Sequence, residues 1–319
     1  MRIAAIGRTS WLYHSIKRIH EDGHDISLIV TTKGSPEYSR TEEDFLRLAD
    51  EYGCECICDS NLINAIGTLK AGRSDVAISV NWPTIIPASI LELFPHGILN
   101  AHAGDLPRYR GNACPNWAIL LGEHQIALTI HEMSGELDSG AVYSKRYFSI
   151  DDTTYISHIY EFLEEAIPDT FAETLNRIER DSARPTPQPR DPRLTLRCLP
   201  RRPEDNLLNW SEPATWLARV VRASAEPFPG AYTYLDDRRM RVWRARARTL
   251  PCPHVGIAGQ VIEVDATSGH VSVLAGSGAL ILEEVQVDTE RVPAAQIMRS
   301  TRCRLGNVIS PPVVLPECT

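Results

Sequence analysis

The chain has 319 residues, 43% of them hydrophobic and 23% charged, enough for one large domain or two ordinary ones with a sizeable core. The first twenty residues carry Arg2, Arg8 and Trp11 with no continuous apolar core or small-residue cleavage site. No uncharged apolar run reaches the ~18 residues of a membrane span, so the expectation is a cytoplasmic protein, neither secreted nor membrane-spanning. The net charge of −8 is unevenly placed: residues 200–319 hold 14 Arg and no Lys against 13 acidic residues, which suggests two domains without making the second strongly basic.

In chain order, RIAAIG (2–7) reads as a first strand, and Ser10 as the cap of a helix, WLYHSIKRIHEDG, closed by Gly23. DISLIVTT is a second strand. TEEDFLRLADEYG has a Thr-x-x-Asp start, apolar residues at helical spacing and Gly53 as its stop. CECIC is a short third strand whose Cys54, Cys56 and Cys58 alternate onto one face. SNLINAIGTLKAG is a helix, DVAISV a fourth strand and HGILNAH a fifth. Strands alternating with helices at this rhythm define an α/β fold, a Rossmann-like, mostly parallel sheet with helices on both faces. Ligands bind such sheets beyond the carboxyl ends of the strands, where GRTSWL and NWPTIIP (81–87) lie. Neither a G-x-G-x-x-G nor a G-x-x-x-x-G-K-[ST] is present, which excludes dinucleotide and P-loop readings. The eight cysteines are scattered, which favours free thiols, and they lack the paired spacing of a metal site, so no metal is expected.

The fifth strand empties into NAHAGDLPRYRGNACPN (100–116), an expected irregular loop that concentrates polar residue types between two apolar runs. IALTIHEM and AVYSKRYFSI then read as strands joined by SGELDSG, and a long helix follows from Tyr155 to Arg180. ARPTPQPRDPR, with four prolines, reads as an extended linker. The expected division is therefore 1–183, a linker 184–203, and 204–319. PATWLARVVRAS opens the last part as a helix, and the short alternating runs after it suggest a small C-terminal antiparallel β-barrel or open barrel, OB-like.

Three residues carry candidate chemistry. The Asn100 amide can donate to a developing oxyanion, His102 can move a proton near neutral pH, and Asp138 can orient the imidazole and favour its charged form. These are the parts of acyl transfer to an amine. No Ser or Cys stands in a nucleophile elbow, and Cys114 reads as a loop residue, so direct transfer through a tetrahedral intermediate is the more natural route. Arg108, Tyr109 and Arg110 can clamp a nucleotide diphosphate, or Arg110 can simply anchor its loop. Trp11 and Trp82 can stack on a base or a pterin, or be partly buried aromatics. In RRMRVWRARAR (238–248), strand alternation puts Arg244, Arg246 and Arg248 on one face; acidic neighbours offset them, and a nucleic-acid partner is not expected.

N-A-H-A-G-D-L-P-R-Y-R-G resembles the N-x-H-x-S-L-L-P-x-Y/W-R-G signature of enzymes that use N10-formyltetrahydrofolate, and E-L-D-S-G (136–140) resembles their L-D-x-G loop, about 36 residues on. RRPEDNLLNW, VVRASAEPFPGAYTYL and RMRVW are similar to the linker and C-terminal domain of the methionyl-tRNA formyltransferase superfamily. The look is nearest to the sugar-nucleotide formyltransferases that act on 4-amino-4-deoxy-arabinose. The resemblance implies a catalytic triad of Asn100, His102 and Asp138, a C-terminal open barrel, a homodimer, and N10-formyltetrahydrofolate as formyl donor. It places the folate along Trp82, Pro83, Thr84, Ile85, Ile86 and Pro87, facing Glu136, Leu137, Ser139 and Gly140. The acceptor would then meet Trp11, Gly104, Asp105, Arg108, Tyr109, Arg110 and Asn112. Its expected identity is an amino sugar nucleotide, with the hydroxyornithine of a siderophore pathway or methionyl-tRNA as alternatives. A module without chemistry should lack part of the triad. Three departures stand out: Gly104-Asp105 replaces Ser-Leu, Asn112 replaces a second Arg, and the first strand lacks the G-T-P pattern of the tRNA enzymes.

Overall fold

The computed structural model describes residues 1–34, 38–306 and 313–314. Two compact units emerge. The first comprises residues 1–114, 125–149 and 159–199; the second comprises 115–124, 150–158 and the chain from Pro200 onward.

The first unit is built on β1 (Arg2–Gly7), β2 (Asp25–Thr31), β3 (Glu55–Cys58), β4 (Val76–Val80) and β5 (Ile98–His102). After a two-residue strand β6 (Arg110–Gly111) come β7 (Gln125–Glu132) and β8 (Val142–Ser149). The seven-stranded sheet runs β3-β2-β1-β4-β5-β7-β8. Its first five strands pair in parallel, while β7 runs antiparallel to β5 and to β8. All of β4, and β1 beyond Arg2, are buried, because central parallel strands are covered on both faces and must be apolar throughout. The helices up to this point in the chain are α1 (Thr9–Glu21), α2 (Glu42–Tyr52), α3 (Ile66–Gly72), α4 (Ala88–Leu91), α5 (Cys114–Leu121) and α6 (Ile156–Glu179), of which α5 beyond Cys114 and the first turn of α6 fall in the second unit. No described helix is long and apolar enough to cross a membrane.

Local signals set several ends. Thr41 and Asp44 form the expected capping box of α2, and Gly53 ends it in the left-handed region at φ 67°. Ser10 is not the cap of α1: the helix begins at Thr9 after an extended Arg8, and the Ser10 hydroxyl donates to Glu164 at 2.9 Å. Cys114 lies not in a loop but at the start of α5.

The proline-rich stretch is part of the first unit as far as Leu199. Pro185, Pro187 and Pro189 have no N–H, so the residues between them carry the polar bonds. Thr186 exchanges two backbone bonds of 2.8 Å with Val142, and β9 (Arg197–Cys198) pairs in parallel with β6. Alternation around proline thus gives an edge segment paired through its backbone, and of residues 184–190 only Gln188 is half-buried.

The second unit contains α7 (Ala214–Ser224), β10 (Ala231–Leu235), β11 (Arg238–Arg248), β12 (Gly256–Ile257), β13 (Val261–Asp265), β14 (His270–Leu274), β15 (Ala279–Val287), β16 (Glu290–Pro293), α8 (Ala294–Ile297) and β17 (Val313–Val314). The main sheet is antiparallel in the order β10-β11-β15-β14-β13, with β16 on β15, in keeping with the expected small antiparallel domain. Arg222, 4% exposed, donates from Nη1 to the carbonyls of Asp151 (2.8 Å) and Thr154 (2.9 Å). A buried guanidinium is tolerated only with such partners, and its removal leaves those carbonyls short of donors. Arg222→Ala is expected to lower the free energy of unfolding by about 3 kcal/mol; urea denaturation of the purified variant checks this, and a loss below 1 kcal/mol contradicts it.

Candidate active site

Asn100 and His102 are two residues apart on β5 and so share one face of the sheet. The β5–β7 register sets His131 opposite Asn100 and Thr129 opposite His102, which brings a second imidazole to the same face. Asp138 arrives from the loop after β7, in a left-handed conformation at φ 48°. Its two carboxylate oxygens face the two imidazoles: Oδ2 is 3.7 Å from His102 Nδ1, and Oδ1 is 3.6 Å from His131 Nε2. Asp138 Oδ2 also accepts the Gly111 N–H at 2.8 Å.

The hydrogen-bond network assigns the protons. His131 Nδ1 lies 2.8 Å from the carbonyl of Glu132 and must donate to it. Nε2 then presents a lone pair to Asn100 Nδ2, 3.1 Å away, which fixes the direction of that amide and leaves its second N–H for a ligand. His102 Nε2 lies 2.6 Å from the carbonyl of Tyr109 and likewise donates, so Nδ1, facing Asp138, is the site that gains or loses a proton.

Burial governs the titration of this cluster. His102 is 7% exposed, and desolvation pulls its pKa below the ordinary histidine value even though Asp138 opposes the shift. The expectation that Asp138 favours the charged form is therefore corrected: desolvation exceeds its effect, and the resting ring is neutral and can accept a proton. Burial also works against ionisation of Asp138. The positive potential of the His131 and His102 rings once protonated, together with the Gly111 N–H, outweighs it, and the carboxyl titrates at about 2. The Cys114 thiol lies 3.8 Å from His102 Nε2 and donates to the Tyr109 carbonyl at 2.9 Å. Hydrogen bonding to Cys198 and burial push it far above the usual thiol range, so it is no nucleophile.

The loop from Gly104 to Asn112 divides. A Cβ at Gly104 would lie 2.3 Å from the Tyr109 carbonyl and 2.4 Å from His102 Nε2, so glycine here permits the close approach of the loop to the His102 ring. Tyr109, 2% exposed, is packed inside instead of facing an acceptor. Asp105 pairs with Lys145 Nζ at 2.6 Å and accepts from the Tyr147 hydroxyl at 3.4 Å. Arg110 anchors the loop, donating to Gln188 at 2.7 Å. Arg108 and Asn112 are exposed, and Arg108 lies over the Tyr109 ring.

The segments expected to hold folate leave the ends of β4 and β7, the two neighbours of β5. Trp82 and Met133 pack against the same apolar cluster, and the Trp82 indole N–H is buried without a partner. Pro83, Thr84 and Ile85 are exposed, Ile85 to 83%; Ile86 turns into the core and Pro87 precedes α4. Glu136 and Leu137 are exposed, and Ser139 donates to the carbonyl of Glu136 at 3.1 Å. Trp11 tilts against Tyr160, their centroids 5.2 Å apart. Among the described residues no group of three His, Cys, Asp or Glu could hold a metal ion. His131, Lys145 and Gln188 escaped the sequence reading. The IHEM strand contained a signal for His131, but only the pairing partner reveals its face.

Residues 1–175 match the family described as "Formyl transferase", and residues 201–302 match "Formyl transferase, C-terminal domain". The chain is 26% identical over 316 residues to the methionyl-tRNA formyltransferase of Citrifermentans bemidjiense, covering 97% of this chain and 96% of that protein. An N-formyltransferase from Helicobacter canadensis, solved with folinic acid and dTDP-3-aminofucose, aligns with a TM-score of 0.64 at 14% identity, over 90% of this chain and 99% of the other. HypX from Aquifex aeolicus in complex with tetrahydrofolic acid aligns with a TM-score of 0.59 at 19% identity, over 94% of this chain and 47% of the other. At such identities these two structures speak to the fold alone.

The titrations predict an acid-sensitive fold. His102 has a pKa below 6.5 in the folded state and Asp138 has one of about 2 against 3.8, so below those reference values the folded protein binds fewer protons than the unfolded chain. Stability contributed by both groups is present at neutral pH and falls on acidification, first below pH 6.5 through His102 and then between about pH 4 and 2 through Asp138, the latter amounting to about 2 kcal/mol. Asp138→Asn should flatten the second decline, measured as urea midpoints from pH 4.5 to 2.5; an unchanged slope contradicts the assignment.

Proposed function

The chain belongs to the formyl transferase family, and from that premise we propose that it moves a formyl group from N10-formyltetrahydrofolate to the amino group of a small acceptor, an amino sugar carried on a nucleotide. The observation that carries this reading is the Asn100, His102 and Asp138 cluster, with one amide N–H uncommitted and one imidazole nitrogen facing a carboxylate. The acceptor nitrogen attacks the formyl carbon, forming the new C–N bond as the carbonyl pair moves onto oxygen. Asn100 donates to that oxyanion. The attacking nitrogen must shed a proton, and neutral His102 can receive it at Nδ1, where Asp138 stabilises the imidazolium. Collapse breaks the bond to the folate nitrogen, and His102 returns the proton to the leaving amine.

The donor fits between the segments at 82–87 and 136–140. Exposed Ile85 and Leu137 offer apolar walls, and the buried, unpartnered Trp82 N–H offers a donor. Arg108 and Asn112 are the exposed groups of the acceptor loop, and an Arg fork suits a diphosphate.

Methionyl-tRNA is the second reading, favoured by full-length similarity to the Citrifermentans enzyme. The small acceptor is preferred because the basic face of β11 is already engaged: Arg246 pairs with Glu283 at 2.9 Å, Arg248 with Glu263, and Arg244 lies over the Tyr155 ring. Such a face offers little uncompensated charge to phosphates. A homodimer is the assembly implied by the resemblance.

Asn100→Ala, His102→Ala and Asp138→Ala should each lose about a hundredfold or more of kcat while remaining folded by circular dichroism. Folate release followed with a nucleotide-linked amino sugar, hydroxyornithine and methionyl-tRNA in turn identifies the acceptor. Near-normal turnover by His102→Ala, or formylation of methionyl-tRNA alone, overturns the reading.

A further inference from the structure

We infer that Gln188, in the proline-rich segment, is a positioning residue that holds the Asp138 loop in its reactive conformation and ties it to the acceptor loop through Arg110. The inference rests on the formyl-transfer reading for its kinetic consequence, though not for its geometry.

The loop after β7 has little regular structure to hold it. Asp138 adopts φ 48°, a conformation unfavourable for a residue with a Cβ, and one that persists only where surrounding bonds enforce it. Two contacts act on one side. Gly111 N–H binds the carboxylate at 2.8 Å, and Gly140 lies so close to the end of β7 that a Cβ there would sit 1.9 Å from the Glu132 carbonyl. The backbone of the loop is gripped elsewhere: Gln188 Nε2 donates to the Asp138 carbonyl at 2.9 Å and to the Gly140 carbonyl at 2.8 Å. One amide nitrogen thus spends both of its hydrogens on the carbonyls that flank Ser139. Its oxygen, Oε1, accepts from Arg110 Nη2 at 2.7 Å, which orients the amide so that both N–H groups face the loop.

Only a primary amide of this length supplies two donors and a coplanar acceptor together. Placement explains why it comes from this segment. Thr186 pairs by its backbone with Val142 at the start of β8, just beyond the Asp138 loop, so the side chain two residues on is delivered to that loop. Arg110 in turn precedes Gly111, whose N–H holds the Asp138 carboxylate. Loop and carboxylate are therefore gripped by neighbouring residues of β6, one acting directly and one through Gln188.

Small misplacements of a catalytic group reduce turnover far more than binding. Gln188→Glu keeps size and the Arg110 partnership but turns both donors into acceptors facing carbonyls, and Gln188→Met removes the polar atoms at similar length. Each variant should lower kcat about tenfold or more with KM changed less than about twofold. In an Asp138→Ala background the same substitutions should cost nothing further, because the residue acts through Asp138. Amide hydrogen exchange at residues 136–140 should accelerate in both variants without substrate, with the unfolding midpoint little changed. Unchanged exchange and unchanged kcat overturn the proposal, as does an equal loss of kcat in both backgrounds, which marks a general structural role. Faster exchange in an enzyme whose wild type transfers no formyl group to any acceptor supports the positioning role and overturns the functional reading instead.

Discussion

A carboxylate kept ionised inside the protein is the constraint on which the site depends. Asp138 sits among groups that exclude water, where an isolated charge is expensive, and it stays charged because the Gly111 N–H binds it and two imidazoles able to take a proton lie 3.7 and 3.6 Å from it. The same burial acts oppositely on His102, which rests neutral beside its anion. A base that is neutral at rest, with a fixed charge waiting for the proton it will take, suits a reaction in which an amine must be deprotonated as it attacks.

That arrangement makes exact demands on the backbone around it. Asn100, His102 and His131 are placed by strand pairing, the most rigid device available, whereas Asp138 is held in a loop and needs side bonds to remain there. Gly104 illustrates the cost of close approach: the family pattern has serine, and this chain removes the Cβ where the His102 ring meets the Tyr109 carbonyl. The proline-rich stretch, which composition alone presents as a spacer, supplies one of these side bonds through Gln188. A segment poor in N–H groups can thus be strongly attached through the few it keeps.

The second unit shows how counting charges differs from locating them. Fourteen arginines after residue 200 suggest a basic surface, yet Arg244, Arg246 and Arg248 of β11 meet an aromatic ring or carboxylates, and Arg222 is a buried hub for the carbonyls of Asp151 and Thr154. Guanidinium is the cation best suited to such roles, since its fork can satisfy several oxygens at once.

By itself the sequence determined the alternation of strands and helices, the cap and stop of α2, and the N-x-H and L-D-x-G motifs that carry the family resemblance. Each is local, written in periodicity, turn chemistry or a short run of residues. Only the tertiary structure decided which groups stand together. His131 became part of the site because β7 runs antiparallel beside β5 in one register, and a slip of one residue would have turned it to the other face. Tyr109 and Gly104, polar-loop residues in the sequence, became packing elements because the loop folds back on the His102 ring. His102 rests neutral because desolvation, a property of everything around it, exceeds the attraction of the single carboxylate that the motifs foretold.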